Sequence, residues 1–223
     1  MAIKIQSSKD FHVNGIKCVV YGSSGVGKTV LCSTAPRPII ISAEQGLLSL
    51  STLDVPYIEV TSMKDVDDAY KLLKDNPDYD TICIDSLSEI AEVVLADFKK
   101  TVADGRQGYM KLAEALGALI KNMRDIKGKN IVFVAKAKRI EDEESGANVF
   151  EPHMPGKVLP FNLPYLVDEV LYYEIDRKGN RQICTKASRK WVAKDRSGKL
   201  DEFEAPDLTA IFNKIANINQ MPF

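Results

Sequence analysis

The sequence contains no long apolar run, almost no net charge and few residues that bind soft metals. Its 223 residues include 30 lysines and arginines and 31 aspartates and glutamates, which gives a formal net charge of −1. A protein that bound nucleic acid through its overall charge would be basic, so such binding here would need a local patch. No stretch approaches the ~20 apolar residues that cross a membrane, and the first residues lack the apolar core of a signal peptide. We therefore expect a cytoplasmic protein that does not insert into a membrane.

Cysteine and histidine are too few and too widely spaced for a compact zinc knuckle. Such a site begins with a closely spaced pair of ligands, and no two cysteines here lie within three residues of each other. The further soft ligands are His12 and His153. We therefore expect no metal site of this type and interpret the cysteines as buried thiols in a reducing compartment. They are Cys18, Cys32, Cys83 and Cys184.

Short apolar runs alternate with segments of helical periodicity along the chain. Runs rich in β-branched residues predict strands buried on both faces, and apolar residues spaced three and four apart predict amphipathic helices. Because such strands are joined by right-handed crossovers, the pattern predicts an α/β fold with a mainly parallel central sheet flanked by helices. The predicted strands are 16–21, 38–42, 57–60, 80–84 and 130–135, and the predicted helices are 63–75, 86–103, 109–126 and 206–217.

The length favours a single domain over residues 1–223, with 1–14 as a segment before the first strand. The alternation stops after residue 139. Residues 140–166 contain four prolines and no clear periodicity, which predicts a long loop. Two later apolar runs, 171–175 and 181–185, flank the turn sequence DRKGN, so we expect a C-terminal β-hairpin extension.

The sequence GSSGVGKT at residues 22–29 matches the phosphate-binding pattern G-x-x-x-x-G-K-[ST]. A predicted strand precedes it and a predicted helix follows it, as this motif requires. The glycines let the backbone wrap around a phosphate, the lysine neutralises phosphate charge and the threonine ligates Mg²⁺. The motif therefore predicts a site for ATP and Mg²⁺. The residues expected to form it are Gly22, Ser23, Ser24, Gly25, Val26, Gly27, Lys28 and Thr29.

Two carboxylates follow later strands, where a phosphate site would need them. Asp85 follows the run DTICI, a position from which it would help to hold the magnesium ion, although Asp85 or Ser86 could instead be the N-cap of the next helix. Glu44 follows the second strand in IIISAEQG and could serve as general base for an attacking water. From its position alone, Glu44 could equally be a solvated loop residue.

Three features in this order, GxxxxGKT, a strand followed by Ala-Glu, and an apolar strand followed by Asp-Ser, resemble the core of the RecA-type ATPases and DnaB-type helicases. The resemblance implies a RecA-like P-loop NTPase core that hydrolyses ATP with Mg²⁺, with Lys28 and Glu44 as catalytic residues and Glu44 as the base. It also implies that Lys194 and Arg196, in VAKDRSG, reach the γ-phosphate bound by a neighbouring subunit. We therefore expect a homo-oligomer with ATP sites at subunit interfaces.

The resemblance is closer to the compact phage-encoded RecA-like proteins, described as nucleotide-binding proteins or single-strand annealing recombinases. The residues that carry it are STAPRPIIISAEQGLLSL at 33–50 and AKDRSGKLDEFEAPDL at 193–208. It implies action on single-stranded DNA in phage recombination or strand annealing, in the cytoplasm of a bacterial host. The chain departs from the RecA pattern after the fifth strand, where Lys136 stands near the position of a polar amide. We treat Lys136 as the candidate sensor of the γ-phosphate.

By the same resemblance, the segments 99–109 and 136–160 would contact single-stranded DNA. Basic groups follow a phosphate backbone and aromatic rings stack on bases. The acidic run EDEE at 141–144 would repel phosphate, so solvated loop charges stay an alternative interpretation. The candidate DNA contacts are Arg106, Tyr109, Lys138, Arg139 and Lys157.

A single-strand-binding protein is a further candidate partner. The residues 221–223, Met-Pro-Phe, resemble the end of such a protein but lack its acids, so a frayed terminus is the simpler interpretation. Two other functions stay open: a RecA-like motor or loader module of a replication or helicase system, and a P-loop small-molecule kinase. The kinase would need an arginine-rich lid, and residues 140–166 are instead acidic and rich in proline.

Overall fold

The apolar runs of the sequence form one mixed β-sheet with a parallel centre. The structure, a computed structural model, describes residues 14–44, 47–102, 104–141, 146 and 148–216. The strands are β1 (Lys17–Gly22), β2 (Pro38–Ser42), β3 (Tyr57–Glu59), β4 (Thr81–Asp85), β5 (Asn130–Glu141), β6 (Asn148–His153), β7 (Glu169–Ile175), β8 (Arg181–Cys184), β9 (Lys194–Asp195) and β10 (Phe203–Glu204). The helices are α1 (Lys28–Cys32), α2 (Met63–Leu73), α3 (Leu87–Thr101), α4 (Gly105–Arg124), α5 (Val158–Leu166) and α6 (Leu208–Ala216), with a 3₁₀ turn at Leu47–Leu50.

The strand order is β10-β8-β7-β1-β5-β4-β2-β3, and every pair from β7 to β3 is parallel. Strands β8 and β10 continue the sheet in antiparallel fashion, while β6 pairs with β5 and β9 with β7. This topology confirms the predicted α/β fold with a mainly parallel sheet. The chain runs from β1 to β2 on one side and returns to β7 on the other, so the carboxyl end of β1 is a topological switch point.

Helices cover both faces of the sheet because the strand residues alternate between two apolar clusters. In β1, Val19 and Tyr21 face the cluster that contains helices α2 to α5. Cys18 and Val20 face the cluster formed with α1 and α6. The four cysteines are free and buried, as predicted. No helix in the described part of the chain is long and apolar enough to cross a membrane.

Polar caps fix where the longer helices begin. The Ser62 hydroxyl accepts a hydrogen bond from the Asp65 amide at 3.2 Å at the start of α2. The Ser86 hydroxyl accepts one from the Glu89 amide at 3.3 Å at the start of α3. Each cap satisfies a backbone donor that the helix itself leaves unpaired. Helix α3 thereby begins at Leu87, two residues after Asp85, which places that carboxylate at the junction of strand and helix.

The prediction of a long loop over 140–166 is wrong. Strand β5 continues to Glu141, β6 pairs with it in antiparallel register, and Val158–Leu166 form α5. The sequence did not predict these elements because proline normally breaks strands and helices, and Pro152 lies inside β6 and Pro164 inside α5. In addition, α5 is apolar on nearly all sides, so it lacks the periodicity that indicates a surface helix. Residues 142–145 and 147 lie outside the described part of the chain.

The predicted hairpin is confirmed, but it is part of the sheet instead of an extension. Strands β7 and β8 pair in antiparallel register around the turn, and the Asp176 carboxylate accepts hydrogen bonds from the amides of Lys178 and Asn180. On its other side β7 pairs in parallel with β1. The hairpin therefore lies next to the strand that leads into the phosphate loop.

A buried carboxyl group lies at the amino end of β7. Glu169 is fully buried and faces Asp195 of β9 across the sheet register. Its Oε1 atom accepts a hydrogen bond from the Ser197 amide at 3.3 Å. Burial, and after it the negative charge of Asp195, together raise the pKa of Glu169 to about 8. The side chain is therefore protonated in the folded protein at neutral pH.

Replacing Glu169 by glutamine should stabilise the protein at alkaline pH. A folded-state pKa above the unfolded value of 4.5 gives stability that is complete below pH 4.5 and is lost as the pH rises towards about 8. Glutamine cannot ionise, so the variant keeps that stability. In urea unfolding we expect equal free energies near pH ~4.5 and a gap above about 1 kcal/mol in favour of Glu169→Gln near pH ~9.

The exposed glutamate Glu202 provides the control for this measurement, since Glu202→Gln should follow the wild-type pH dependence. If Glu169→Gln and the wild type show parallel stability curves over this range, the carboxyl group is already ionised in the folded protein and its assignment is wrong.

Candidate functional site

A polar cleft of about 780 Å³ opens at the carboxyl ends of β1, β2 and β4. Parallel α/β sheets bind ligands at this edge, and the volume is in the range of small-molecule sites. Ser42 and Asp85, the last residues of β2 and β4, are partners in the register. The cleft is lined by Ser24, Gly25, Gly27, Lys28, Thr29, Val30, Ala43, Glu44, Ser49, Asp85, Ser86, Glu89, Lys136 and Arg181.

The phosphate loop leaves β1 in a conformation that only glycine adopts readily. Gly27 has φ 102°, in the left-handed region where a side chain would be strained. At Gly22 a Cβ atom would lie 2.3 Å from the carbonyl oxygen of Tyr173 on β7. Backbone geometry therefore requires glycine at both positions. Strand β7 of the hairpin packs against the base of the phosphate loop.

Lys28 faces the cleft from the start of α1. Its ammonium donates hydrogen bonds to the carbonyls of Gly22 at 3.0 Å and Ser23 at 2.9 Å, both within the loop. Burial lowers the pKa of Lys28, while the carboxylates of Asp85 and Glu44 act in the opposite direction. Any further negative charge in the cleft, such as a phosphate, therefore stabilises the charged form of the Lys28 ammonium.

Thr29, which is half-buried, and the buried Asp85 form a pair between α1 and the end of β4. The Thr29 hydroxyl donates a hydrogen bond of 2.6 Å to Asp85 Oδ2. Asp85 is only 5% exposed, and this burial raises its pKa. A hydroxyl oxygen and a carboxylate oxygen at this distance are the hard ligands that Mg²⁺ prefers, so the pair fits a magnesium site next to the loop. Of the two candidate N-caps of α3, the structure confirms Ser86, and Asp85 does not cap the helix.

Glu44 is held at the rim of the cleft by two serines. The Ser86 hydroxyl donates a hydrogen bond to Glu44 Oε1 at 3.0 Å, and the Ser42 hydroxyl donates one to the Glu44 carbonyl at 2.9 Å. The carboxylate is exposed and lines the same cleft as Lys28 and Asp85. The next two residues, 45–46, lie outside the described part of the chain.

Lys136 lines the cleft but is paired with acids of α3. Its ammonium lies 2.6 Å from Glu89 and 3.3 Å from Glu92, and these contacts raise its pKa, the hydrogen bond to Glu89 most of all. Lys136 is the register partner of Gly22, so it lies beside the base of the phosphate loop. The predicted sensor position is therefore next to the loop, with its charge balanced by two carboxylates.

Lys194 and Arg196 lie at the opposite end of the sheet from the cleft. Lys194 of β9 is the partner of Val170 near the amino end of β7, whereas Gly22 pairs with Tyr173. The Lys194 ammonium donates hydrogen bonds to the carbonyls of Pro164 and Val167, and burial lowers its pKa. Arg196 is paired with Asp168 at 2.9 Å. The structure therefore brings neither residue to the cleft of its own chain.

The candidate DNA contacts lie in a groove, in the first turn of a helix and on a strand. Tyr109 and Lys157 line a groove of about 280 Å³ between the starts of α4 and α5. Arg106 is in the first turn of α4, and Lys138 and Arg139 are on the part of β5 that pairs with β6. The segment 99–109 is mostly helical, because α3 ends at Thr101 and α4 begins at Gly105.

Several residues of the sequence analysis are not described by the structure. They are His12, the acids 142–144 and the tail 221–223.

Sequence reasoning missed Arg181 and the hydrogen bond that Ser86 donates to Glu44. Arg181 is the first residue of β8, and its Nε atom donates a hydrogen bond of 2.9 Å to the Val26 carbonyl in the phosphate loop. The two residues are 155 positions apart in the chain, so no local motif joins them. Ser86 is adjacent to Asp85 in the sequence, and the Asp-Ser step was a usable signal for it.

The fold and the cleft define a P-loop nucleotide-binding protein. A family model described as an AAA domain matches residues 14–197. The chain belongs to this AAA domain family, and it is therefore a nucleotide-binding ATPase domain of the P-loop class.

Among solved structures, the chain is similar to a KaiC-like protein from the hyperthermophilic archaeon Pyrococcus horikoshii OT3. The sequence identity is 14% and the TM-score is 0.49, over 78% of this chain and 79% of that chain. No curated protein sequence matches the chain.

Ser86→Ala should lower the rate of ATP turnover by about tenfold with little change in KM. The substitution removes one hydrogen bond to the Glu44 carboxylate, and a bond to a charged group contributes roughly 1.5 kcal/mol. Ser86→Thr keeps the hydroxyl and should retain most of the activity. The measurement is steady-state ATP hydrolysis of folded protein.

Ser62→Ala is the matched control, because Ser62 caps α2 as Ser86 caps α3 but does not line the cleft. It should cost a similar amount of stability, on the order of 1 kcal/mol, without loss of turnover. Equal losses of turnover in the two alanine variants would mean that Ser86 acts only through helix stability.

Proposed function

We propose that this chain is a Mg²⁺-dependent ATPase that acts on single-stranded DNA in recombination or strand annealing, as the resemblance to compact phage-encoded RecA-like proteins implies. The observation that carries the ATPase part is that one cleft contains Lys28, the Thr29–Asp85 pair and Glu44. These groups supply a phosphate cation, a metal site and a carboxylate base.

In this proposal Thr29 and Asp85 hold the magnesium ion. When bound there, the ion would supply positive charge that offsets the negative charge of the phosphates. The phosphate loop and Lys28 bind and orient the triphosphate, and the buried position of Asp85 keeps water away from that side of the site. Protonation of Asp85 would compete with metal binding, and burial has already raised its pKa.

Glu44 accepts a proton from the attacking water. Its carboxylate is at the exposed rim of the cleft, where water has access, and the hydrogen bond from Ser86 fixes one of its two oxygens. The other oxygen is left to accept a hydrogen bond from the attacking water. A base held in this way contributes through both position and proton transfer.

Glu44→Gln should bind ATP with nearly wild-type affinity and hydrolyse it at least ~100-fold more slowly, because glutamine keeps the shape but cannot accept the proton. Binding is measured with a fluorescent ATP analogue and turnover by phosphate release. Glu59→Gln, at the end of the edge strand β3, is the control and should leave both quantities unchanged. Wild-type turnover in Glu44→Gln would exclude Glu44 as the base.

We further propose that Arg196, with Lys194 beside it, completes the site of a neighbouring subunit in a homo-oligomer. Support comes from the position of Arg196, whose side chain is 55% exposed at the end of the sheet far from its own cleft. A cation there has no nucleotide of its own chain within reach, since about four residues of strand, roughly 13 Å, separate the two ends. The partial burial of Lys194 makes Arg196 the stronger candidate.

Mixing Arg196→Ala with Glu44→Gln should restore ATP turnover that each variant lacks alone. A mixed interface can combine an intact Glu44 from one subunit with an intact Arg196 from the next. The experiment compares turnover of the mixture with the sum of the separate variants, and light scattering gives the particle size in parallel. A mixture no more active than that sum would contradict action between subunits.

The apolar groove between α4 and α5 supports the DNA part of the proposal. The Tyr109 ring is 41% exposed, and the ammonium of Lys99 lies 5.1 Å from its centroid. Lys157 and Val158 line the opposite side of the groove. An exposed ring flanked by cations is the arrangement on which bases of single strands stack while the backbone meets positive charge. The same proposal includes a single-strand-binding protein as a partner and the cytoplasm of a bacterial host as the location.

Tyr109→Ala should weaken binding of an oligo-dT strand by about tenfold at low salt, because one stacked base contributes roughly 1–3 kcal/mol. Lys157→Ala should weaken it less and reduce its salt dependence. Fluorescence anisotropy measures the affinity, and ATP turnover with and without the strand is measured beside it. Tyr57→Ala, at an exposed tyrosine of β3, is the matched control.

A wild-type protein that hydrolyses ATP but neither binds the strand nor responds to it would remove the DNA part and leave the ATPase part intact. Unwinding or loading activity with a replication partner would instead favour the motor or loader function.

A further inference from the structure

We infer that Arg181 is a second cationic contact for the phosphates of the nucleotide bound by the same chain, opposite Lys28. This inference rests on the proposed function only in that a nucleotide must occupy the cleft. It adds a phosphate-binding residue that lies outside the phosphate loop and outside the motif that predicted it.

The hairpin of β7 and β8 places Arg181 next to the phosphate loop. Its Nε atom donates a hydrogen bond to the Val26 carbonyl at 2.9 Å. The same atom is 3.5 Å from the point where Gly27 would carry a Cβ atom. This is an ordinary van der Waals distance, so the guanidinium lies directly against the loop at Gly27.

The guanidinium has donors beyond the one used by Val26. An arginine side chain carries five N–H groups in a fixed planar fork. Within the described part of the chain, the Val26 carbonyl takes the Nε donor of Arg181. The other four N–H groups belong to the terminal nitrogens of a side chain that is exposed and lines the cleft. That fork matches the spacing of two phosphate oxygens.

The charges around the cleft favour the same assignment. Besides Lys28, the cations that line it are Lys136 and Arg181. Lys136 is paired with the carboxylates of Glu89 and Glu92. Arg181 has a backbone carbonyl as its partner in the loop, so its charge is not balanced there by an acid. A polyphosphate brings several negative charges into a cleft that already contains Asp85 and Glu44, and Arg181 offsets part of that repulsion.

The test must separate a phosphate contact from a purely structural bond to the loop. Arg181→Gln keeps a donor for the Val26 carbonyl and removes the charge, whereas Arg181→Lys keeps the charge and loses the fork. Arg177→Ala, at an exposed arginine in the turn of the same hairpin, is the control. Binding of a fluorescent ADP analogue is measured for each variant at two salt concentrations, with the melting temperature determined alongside.

We expect Arg181→Gln and Arg181→Ala to weaken ADP binding by about 10- to 100-fold, as for loss of a charge-assisted hydrogen bond. Arg181→Lys should recover part of this loss, and Arg177→Ala should bind like the wild type. The affinity of Arg181→Gln should also depend less on salt, a change that a structural role would not produce.

Wild-type affinity in Arg181→Gln, with a loss only in Arg181→Ala, would overturn the inference and leave Arg181 as a support for the loop. The same assay includes Lys28→Ala, which should abolish binding. If Lys28→Ala binds ADP normally, the nucleotide does not use the phosphate loop and the proposed function fails. If Lys28→Ala alone loses binding, only the inference about Arg181 fails.

Discussion

The hydrogen bond between the Thr29 hydroxyl and the Asp85 carboxylate connects the two halves of the candidate site. Thr29 lies in α1, the helix that follows β1 and the phosphate loop, and Asp85 ends β4, with β5 lying between β1 and β4. The bond can form only if the ends of the three strands are level. The parallel register provides this, and a shift by one residue would turn the Asp85 side chain to the other face of the sheet.

Burial makes the charges around this bond depend on one another. It raises the pKa of Asp85 and lowers that of Lys28, so each group would be less charged if it were alone. Each also supports the charge of the other. Under the proposed function, a bound triphosphate would favour the cationic form of Lys28, and a bound magnesium ion would favour the anionic form of Asp85. The two ligands would then favour each other's binding through these residues, without any movement of the backbone.

The sequence was sufficient for the parts of the structure that depend on local patterns. The phosphate loop is a contiguous motif, the parallel strands are contiguous apolar runs, and Asp85 stands at the end of one of them. Local patterns were insufficient for β6 and α5, where Pro152 and Pro164 break the expected signals. They were also insufficient for Arg181, because its contact with the loop exists only once β7 has paired with β1.

Strand β7 connects the end of the sheet that carries the cleft with the end that carries Arg196. This geometry limits the ways in which two subunits could share an ATP site. Its carboxyl end supports the phosphate loop through the Tyr173 carbonyl beside Gly22, and its amino end carries β9 with Arg196. If Arg196 serves a neighbouring nucleotide, the amino edge of one sheet must face the carboxyl edge of the next. Such a contact joins two different surfaces, so it is heterologous. Repetition of it gives a ring if the rotation closes and a helical filament if it does not.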